Sequence, residues 1–218
     1  MRFFLDSSVP ADIRRAHETG FLAGVTTNPH LLAQSSDLSF ADLTAMAKVV
    51  EGPFNLQVLS EKADEMVAQG KYFASLADNI VVKVPLTTEG LKACRLLSEQ
   101  DIPVNVTLCF SVAQALLAAQ AGAAYISPFI GRLEASGGDG LQLIEDIRIA
   151  YDMGGMNTEI LAASIRQREH AEGAALRGAD IATCPAAIFF ALHAHPMTDQ
   201  GLETIVPHYP ELRATCLP

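Results

Sequence analysis

No stretch of about 18 uncharged apolar residues occurs in the 218-residue chain, so no transmembrane helix and no membrane partner are expected. Cations are scarce: 15 Lys and Arg against 25 Asp and Glu leave a formal charge of −10. That balance argues against nucleic acid as a partner, and it obliges any anionic ligand to find a local cluster of cations. Cys94, Cys109, Cys184 and Cys216 lack metal-ligand spacing and sit singly among apolar residues. Reduced, mostly buried thiols of a cytoplasmic protein are therefore expected. The start Met1-Arg2-Phe3-Phe4-Leu5-Asp6 meets an acidic residue too early for the apolar region of a signal peptide. Ser/Pro-rich linkers and compositional breaks are also missing. One domain over residues 1–218 is expected, with about 197–218 as a C-terminal extension. What the chain does have is bulk: 50% hydrophobic and 18% charged residues are the mix of an ordered globular protein with a large core.

Eight short apolar runs alternate with longer segments of helical periodicity. The runs are Phe3–Asp6, Ala23–Thr27, Asn55–Leu59, Ile80–Val84, Val104–Leu108, Ala124–Pro128, Glu159–Ala163 and Ile181–Cys184. Between them, Phe40–Val50, Ala63–Leu76, Leu91–Leu97, Val112–Ala121 and Leu141–Tyr151 carry apolar residues at three- and four-residue spacing. Ser111 and Asp139 suit helix N-caps, and Gly20, Gly122 and Gly178 suit helix ends. Strand–helix alternation implies parallel strands joined by right-handed crossovers. Eight such units predict an α/β fold, the (β/α)₈ TIM barrel, with an extra C-terminal helix after Pro196. The rival, a doubly wound open sheet, would carry a Gly-rich dinucleotide turn or P-loop after its first strand, and none is present.

In a barrel the active site lies at the carboxyl ends of the strands, and alternate residues share a face. Thr26 and Asn28 form one such pair, as do Asn105 with Thr107 and Ser127 with Phe129. Asp6 ends the first strand, Gln57 lies in the third, Lys83 near the end of the fourth, and Ser164 closes the seventh. Each alone reads as a satisfied core or capping group. Converging on one mouth, they read as a site, because unpaired polar groups in a packed interior are costly. Lys83 lies within Val81-Val82-Lys83-Val84-Pro85, a β-branched run buried on both faces. Burial favours its neutral amine, which is the form that adds to a carbonyl. Its bland alternative is a lysine that snorkels to pair with a carboxylate such as Asp6. Asp6 suits a general base and acid, or else a helix N-cap before Ser7-Ser8-Val9-Pro10. Gln57 and Thr107 suit the holding of a water. Arg132, Ser164 and Arg166 follow the sixth and seventh strands, where barrels commonly place phosphate sites. Arg148, Arg168 and Arg177 read as solvated helix residues.

The motifs Leu5-Asp6, Gly24-Val25-Thr26-Thr27-Asn28-Pro29, Val82-Lys83-Val84-Pro85, Asn105-Val106-Thr107-Leu108, Ser127-Pro128-Phe129-Ile130-Gly131-Arg132 and Ala163-Ser164-Ile165-Arg166 together resemble the transaldolase family, in its short-chain branch. The resemblance implies a Schiff-base lysine at Lys83, an acid/base aspartate at Asp6, and substrate-hydroxyl ligands at Asn28 and Asn105. It further implies a water-holding residue at Thr107 and a phosphate site at Arg132, Ser164 and Arg166. Thr26, Ser127 and Phe129 complete the expected substrate-binding set. Sugar phosphates are the implied substrates, and the implied assembly is a homo-oligomer, a pentamer or a decamer of two stacked pentamers.

Two activities occur in this branch: transfer of a dihydroxyacetone unit between sugar phosphates, and release of free dihydroxyacetone from fructose 6-phosphate. The transaldolases usually carry Glu at the position of Gln57 and Phe at that of Phe129; the aldolases carry Gln and Tyr. The chain mixes the two, and the motifs around Asn105 and Phe129 lean toward transfer. His30 departs from the Ser usual after Asn-Pro and reads as a loop residue, or as an altered acceptor or anion preference. Neither nicotinamide nor flavin is signalled, and of the six histidines only His30 is placed near a strand end, so neither cofactor nor metal is expected. A deoxyribose-phosphate-type aldolase would need a lysine in Ala124–Arg132, which has none. A barrel that merely binds sugar phosphates would be expected to have lost Lys83 or Asp6.

Overall fold

The computed structural model describes residues 1–34 and 39–205. Eight parallel strands, β1 (Arg2–Asp6), β2 (Gly24–Thr26), β3 (Phe54–Gln57), β4 (Ile80–Pro85), β5 (Val104–Cys109), β6 (Tyr125–Pro128), β7 (Glu159–Ala162) and β8 (Ile181–Pro185), close into a barrel in sequence order. The seam joins β1 to β8, with Leu5 opposite Cys184 and Phe4 opposite Thr183. The fold is a (β/α)₈ barrel. Around it run α1 (Pro10–Glu18), α2 (Pro29–Gln34), α3 (Phe40–Val49), α4 (Ala63–Ala74), α5 (Thr88–Ser98), α6 (Val112–Gln120), α7 (Ile130–Ala135), α8 (Gly140–Gly154), α9 (Arg168–Leu176), α10 (Ala186–Phe189) and α11 (Pro196–Ile205).

Side-chain alternation sorts each strand into two environments. Outward residues such as Leu5, Leu56, Val82, Val106 and Ile126 are fully buried under the helices, and they form the main core with Ile13, Leu97 and Ile147. Inward residues fill the barrel floor, where Phe4, Leu161 and Ile181 pack together. Gly24 makes room there: a Cβ on it would stand 2.6 Å from the Phe4 ring. The floor is apolar, and the polar inward residues stand nearer the carboxyl ends.

The expected punctuation is present. Ser111 and Asp139 accept from the backbone amides of Gln114 and Gln142, and Gly20, Gly122 and Gly178 adopt positive φ at helix ends. Asp6 is not a cap; α1 starts at Pro10 with Val9 as its N-cap residue, whose amide donates to Ser7 Oγ. Strand β3 ends at Gln57, two residues before the predicted limit, and the amide of Leu59 turns to the Gln69 side chain. Arg148 and Arg177 are not simply solvated, since Arg148 bridges Asp152 and Asp180 and Arg177 reaches Glu145. Helix α11 buries no residue of its own. Residues 206–218, with Cys216, lie outside the described residues, while Cys94, Cys109 and Cys184 are buried and free. No helix among the described residues is long and apolar enough to cross a membrane.

Candidate active site

A cavity of about 440 Å³ opens at the carboxyl ends of the strands. Of the residues predicted for the site, all but Asn105 and Arg166 line it, and His30 and Thr183 join them. Lys83, on β4, is 6% exposed. Its Nζ donates to the Thr27 carbonyl at 3.1 Å, and the Asp6 carboxylate acts on it through space. Burial lowers the lysine pKa from its usual 10.5, and the Asp6 charge opposes that shift. The amine is therefore held toward its nucleophilic, neutral form. Asp6 moves the other way: burial raises its pKa above the ordinary carboxylate value, while Lys83 and a hydrogen bond from Thr26 pull it down.

Thr26 donates its single hydroxyl proton to Asp6 Oδ1 at 2.7 Å, and its oxygen lies 2.6 Å from that of Thr183. With the Thr26 proton committed, Thr183 must be the donor in the second bond. The result is a directed chain, Thr183 to Thr26 to Asp6, that fixes one carboxylate oxygen of a residue lining the cavity. Thr183 is missing from the sequence-based set. Its signal was there, since it stands two residues after Ile181 on the inward face of a recognised strand.

Asn105 is fully buried, a layer deeper than the cavity wall. Its amide donates to Asn55 Oδ1 at 2.9 Å and its oxygen accepts from Ser127 Oγ at 2.8 Å, while Asn55 donates to the Val25 carbonyl at 3.0 Å. These groups make a polar belt beneath Lys83, whose Cα is paired with that of Asn105. Asn55 is the second residue that sequence reasoning missed. Thr107 differs from its neighbours: it is 1% exposed, lines the cavity, and its Oγ1 has no hydrogen-bond partner among the described residues. The next residue, Leu108, has φ of +67°, where the β5–β6 register shifts between Thr107 and Cys109. A γ-branched residue is strained there, and such strain persists where surrounding structure enforces it.

At the opposite rim, Arg132 on α7 lays its guanidinium 5.0 Å from the centroid of Phe129, whose ring also meets Phe110 edge-on. Ser164 lines the same rim with φ of +57°. Gly131 permits this approach: its N–H donates to the Ser164 carbonyl at 3.0 Å, and an added Cβ would stand 2.5 Å from that oxygen. Arg166 does not line the cavity, and its stem packs beside Gly131 instead. No group of three or more His, Cys, Asp or Glu able to hold a metal occurs among the described residues.

The family model described as transaldolase/fructose-6-phosphate aldolase matches residues 3–215. The chain belongs to that family. Curated relatives include a "Probable transaldolase" of Lactiplantibacillus plantarum, 48% identical over 99% of both chains. Another "Probable transaldolase", from Caulobacter vibrioides, is 50% identical over 93% of this chain and 94% of its own. Solved structures share the fold at far lower identity. A mandelate oxidase mutant superposes with a TM-score of 0.60 at 17% identity, over 97% of this chain and 74% of its own. Thiamine phosphate pyrophosphorylase from Pyrococcus furiosus gives 0.58 at 13%, over 86% and 87%. In this member of the transaldolase/fructose-6-phosphate aldolase family, Gln57 and Phe129 both line the cavity.

Proposed function

We propose that the chain transfers a dihydroxyacetone unit between sugar phosphates through an imine on Lys83. The observation that carries this reading is a buried amine, its pKa lowered by burial, beside a buried carboxylate at the mouth of the barrel. The neutral amine adds to the carbonyl carbon of a ketose phosphate, and loss of water leaves an imine that takes up a proton from solvent. Asp6 takes the proton of the hydroxyl on the carbon two removed from the imine carbon as the bond from that carbon to its neighbour, the carbon next to the imine, breaks. The bonding electrons pass into the imine as an enamine, and an aldose phosphate departs. Addition of the enamine to a second aldose, with proton return from Asp6, then hydrolysis of the imine, completes transfer. Gln57 and Thr107 would hold the water of imine formation and hydrolysis. Thr26, Asn28 and Ser127, with Asn105 behind them, would fix the substrate hydroxyls. Arg132 and Ser164 would take the phosphate, with Arg166 acting from outside the rim. Every step uses groups of the chain, so neither metal nor cofactor is assigned one.

The second reading is release of free dihydroxyacetone, favoured by an amide rather than a carboxylate at Gln57. Product analysis with fructose 6-phosphate, with and without erythrose 4-phosphate, separates them. Borohydride with either substrate should trap an adduct on Lys83; trapping on another lysine, or full activity in Lys83→Ala, would defeat both readings. A single domain over 1–218 and assembly as a homo-oligomer complete the proposal. They are supported by the uninterrupted barrel and by a terminal helix that buries none of its residues.

A further inference from the structure

His170 lies outside the cavity, on α9, and is 4% exposed. Its Nδ1 accepts the backbone N–H of Arg166 at 3.3 Å, and its Nε2 stands 3.0 Å from Glu134 Oε2. A backbone amide is always a donor and a carboxylate an acceptor. These partners therefore select the neutral ring with its proton on Nε2. Packing alone does not require an imidazole here, but an apolar replacement would leave the Arg166 N–H without its acceptor.

The two partners belong to the two sides of the anion rim. Glu134 lies on α7, two residues after Arg132, and the Arg166 amide lies two residues after Ser164. On the cavity side these segments meet through the Gly131–Ser164 hydrogen bond. His170 adds a further tie, from behind. Ser164 needs such support because its φ of +57° is unfavourable for a residue with a Cβ.

We infer that His170 is a positioning residue for the anion end of the cavity, holding the segment that carries Ser164 in register with the helix that carries Arg132. The inference rests on the reading that this rim takes the substrate phosphate. Conservative variants divide the two bonds. In His170→Asn the amide oxygen falls near the place of Nδ1 and keeps the Arg166 bond. In His170→Gln the amide nitrogen falls near the place of Nε2 and keeps the Glu134 bond. His170→Ala loses both.

The test is the concentration dependence of borohydride trapping on Lys83, with fructose 6-phosphate and with dihydroxyacetone, in the wild type and these variants. In His170→Ala, half-saturation for fructose 6-phosphate should rise by about tenfold, with the maximal trapping rate and the dihydroxyacetone curve within about twofold of wild type. The Asn and Gln variants should fall between, which keeps the test decisive should the Ala variant not fold. Equal losses with both substrates, or wild-type curves in both conservative variants, would overturn the inference. Arg132→Ala separates the layers. If it leaves the fructose 6-phosphate curve unmoved, the phosphate reading itself fails. If it shifts that curve and no His170 variant does, the positioning role alone fails.

Discussion

Replacing Thr107 by Val should leave the stability of the fold nearly unchanged and impair the chemistry. The two side chains have nearly the same shape, so the change exchanges a hydroxyl for a methyl on a residue that is 1% exposed. Thr107 Oγ1 has no hydrogen-bond partner among the described residues, so no bond of that kind is lost. Stability should therefore stay within about 0.5 kcal/mol of wild type. For a chain of this size that keeps Tm within about 1–2 °C of wild type. Thr27→Val is the matched control: its Oγ1 donates to the Asn55 carbonyl at 2.8 Å, so that variant should lose about 1 kcal/mol. If Thr107 holds the water of imine formation and hydrolysis, donor turnover should fall by about tenfold to a hundredfold, since 1.4 kcal/mol is tenfold. Thermal unfolding followed by circular dichroism and steady-state rates with fructose 6-phosphate would read the two effects. A fall in Tm like that of Thr27→Val would mean the hydroxyl has a structural partner. An unchanged rate would remove it from the mechanism.

Arg132→Ala should reduce kcat/KM for phosphorylated substrates by about 1.5–3 kcal/mol, mostly through KM, and Arg166→Ala by clearly less, because only Arg132 lines the cavity; equal effects would place both guanidinium groups on the substrate. Trapping on Lys83 should rise with pH as the amine deprotonates and level off below the usual lysine value of 10.5. Asp6→Asn removes a charge that raises the lysine pKa, so its trapping curve should move to lower pH; a move upward would contradict the coupling. Phe129→Tyr should raise the ratio of dihydroxyacetone release to transfer, because a phenol adds a hydrogen-bond partner for water in the cavity, and Gln57→Glu should lower it. Rapid release by the wild type without acceptor, unchanged in Phe129→Tyr, would refute the transfer reading.

The strands were readable because β-branched runs such as Ile80–Val84 are long enough to declare themselves, and the helix limits because Ser111, Asp139 and the end glycines act locally. Two-residue alternation brought Asp6, Thr26, Lys83 and Thr107 to one mouth. Depth was not readable in the same way. Asn105 shares a face with Thr107 but stands one layer lower, where Asn55 and Ser127 use its hydrogen bonds. Arg166 was placed near the right rim, but it does not line the cavity, and its stem packs beside Gly131. Leu108 gave no hint of its positive φ, and His170 gave none of its partners, because both depend on contacts between elements distant in sequence.

The seam of the barrel has a consequence for synthesis on the ribosome. Thr183 lies on the last strand to emerge and Asp6 on the first, so the proton chain that steadies the carboxylate exists only once β8 has zipped against β1. Until then β1 and β7 are open parallel edges, the kind of surface that pairs with other chains. Joining ends this far apart in sequence carries the largest loop-closure cost in the fold and comes late for that reason. A nascent chain halted before Ile181 would carry Lys83 on an intact strand, yet lack the wall that completes its acid–base partner.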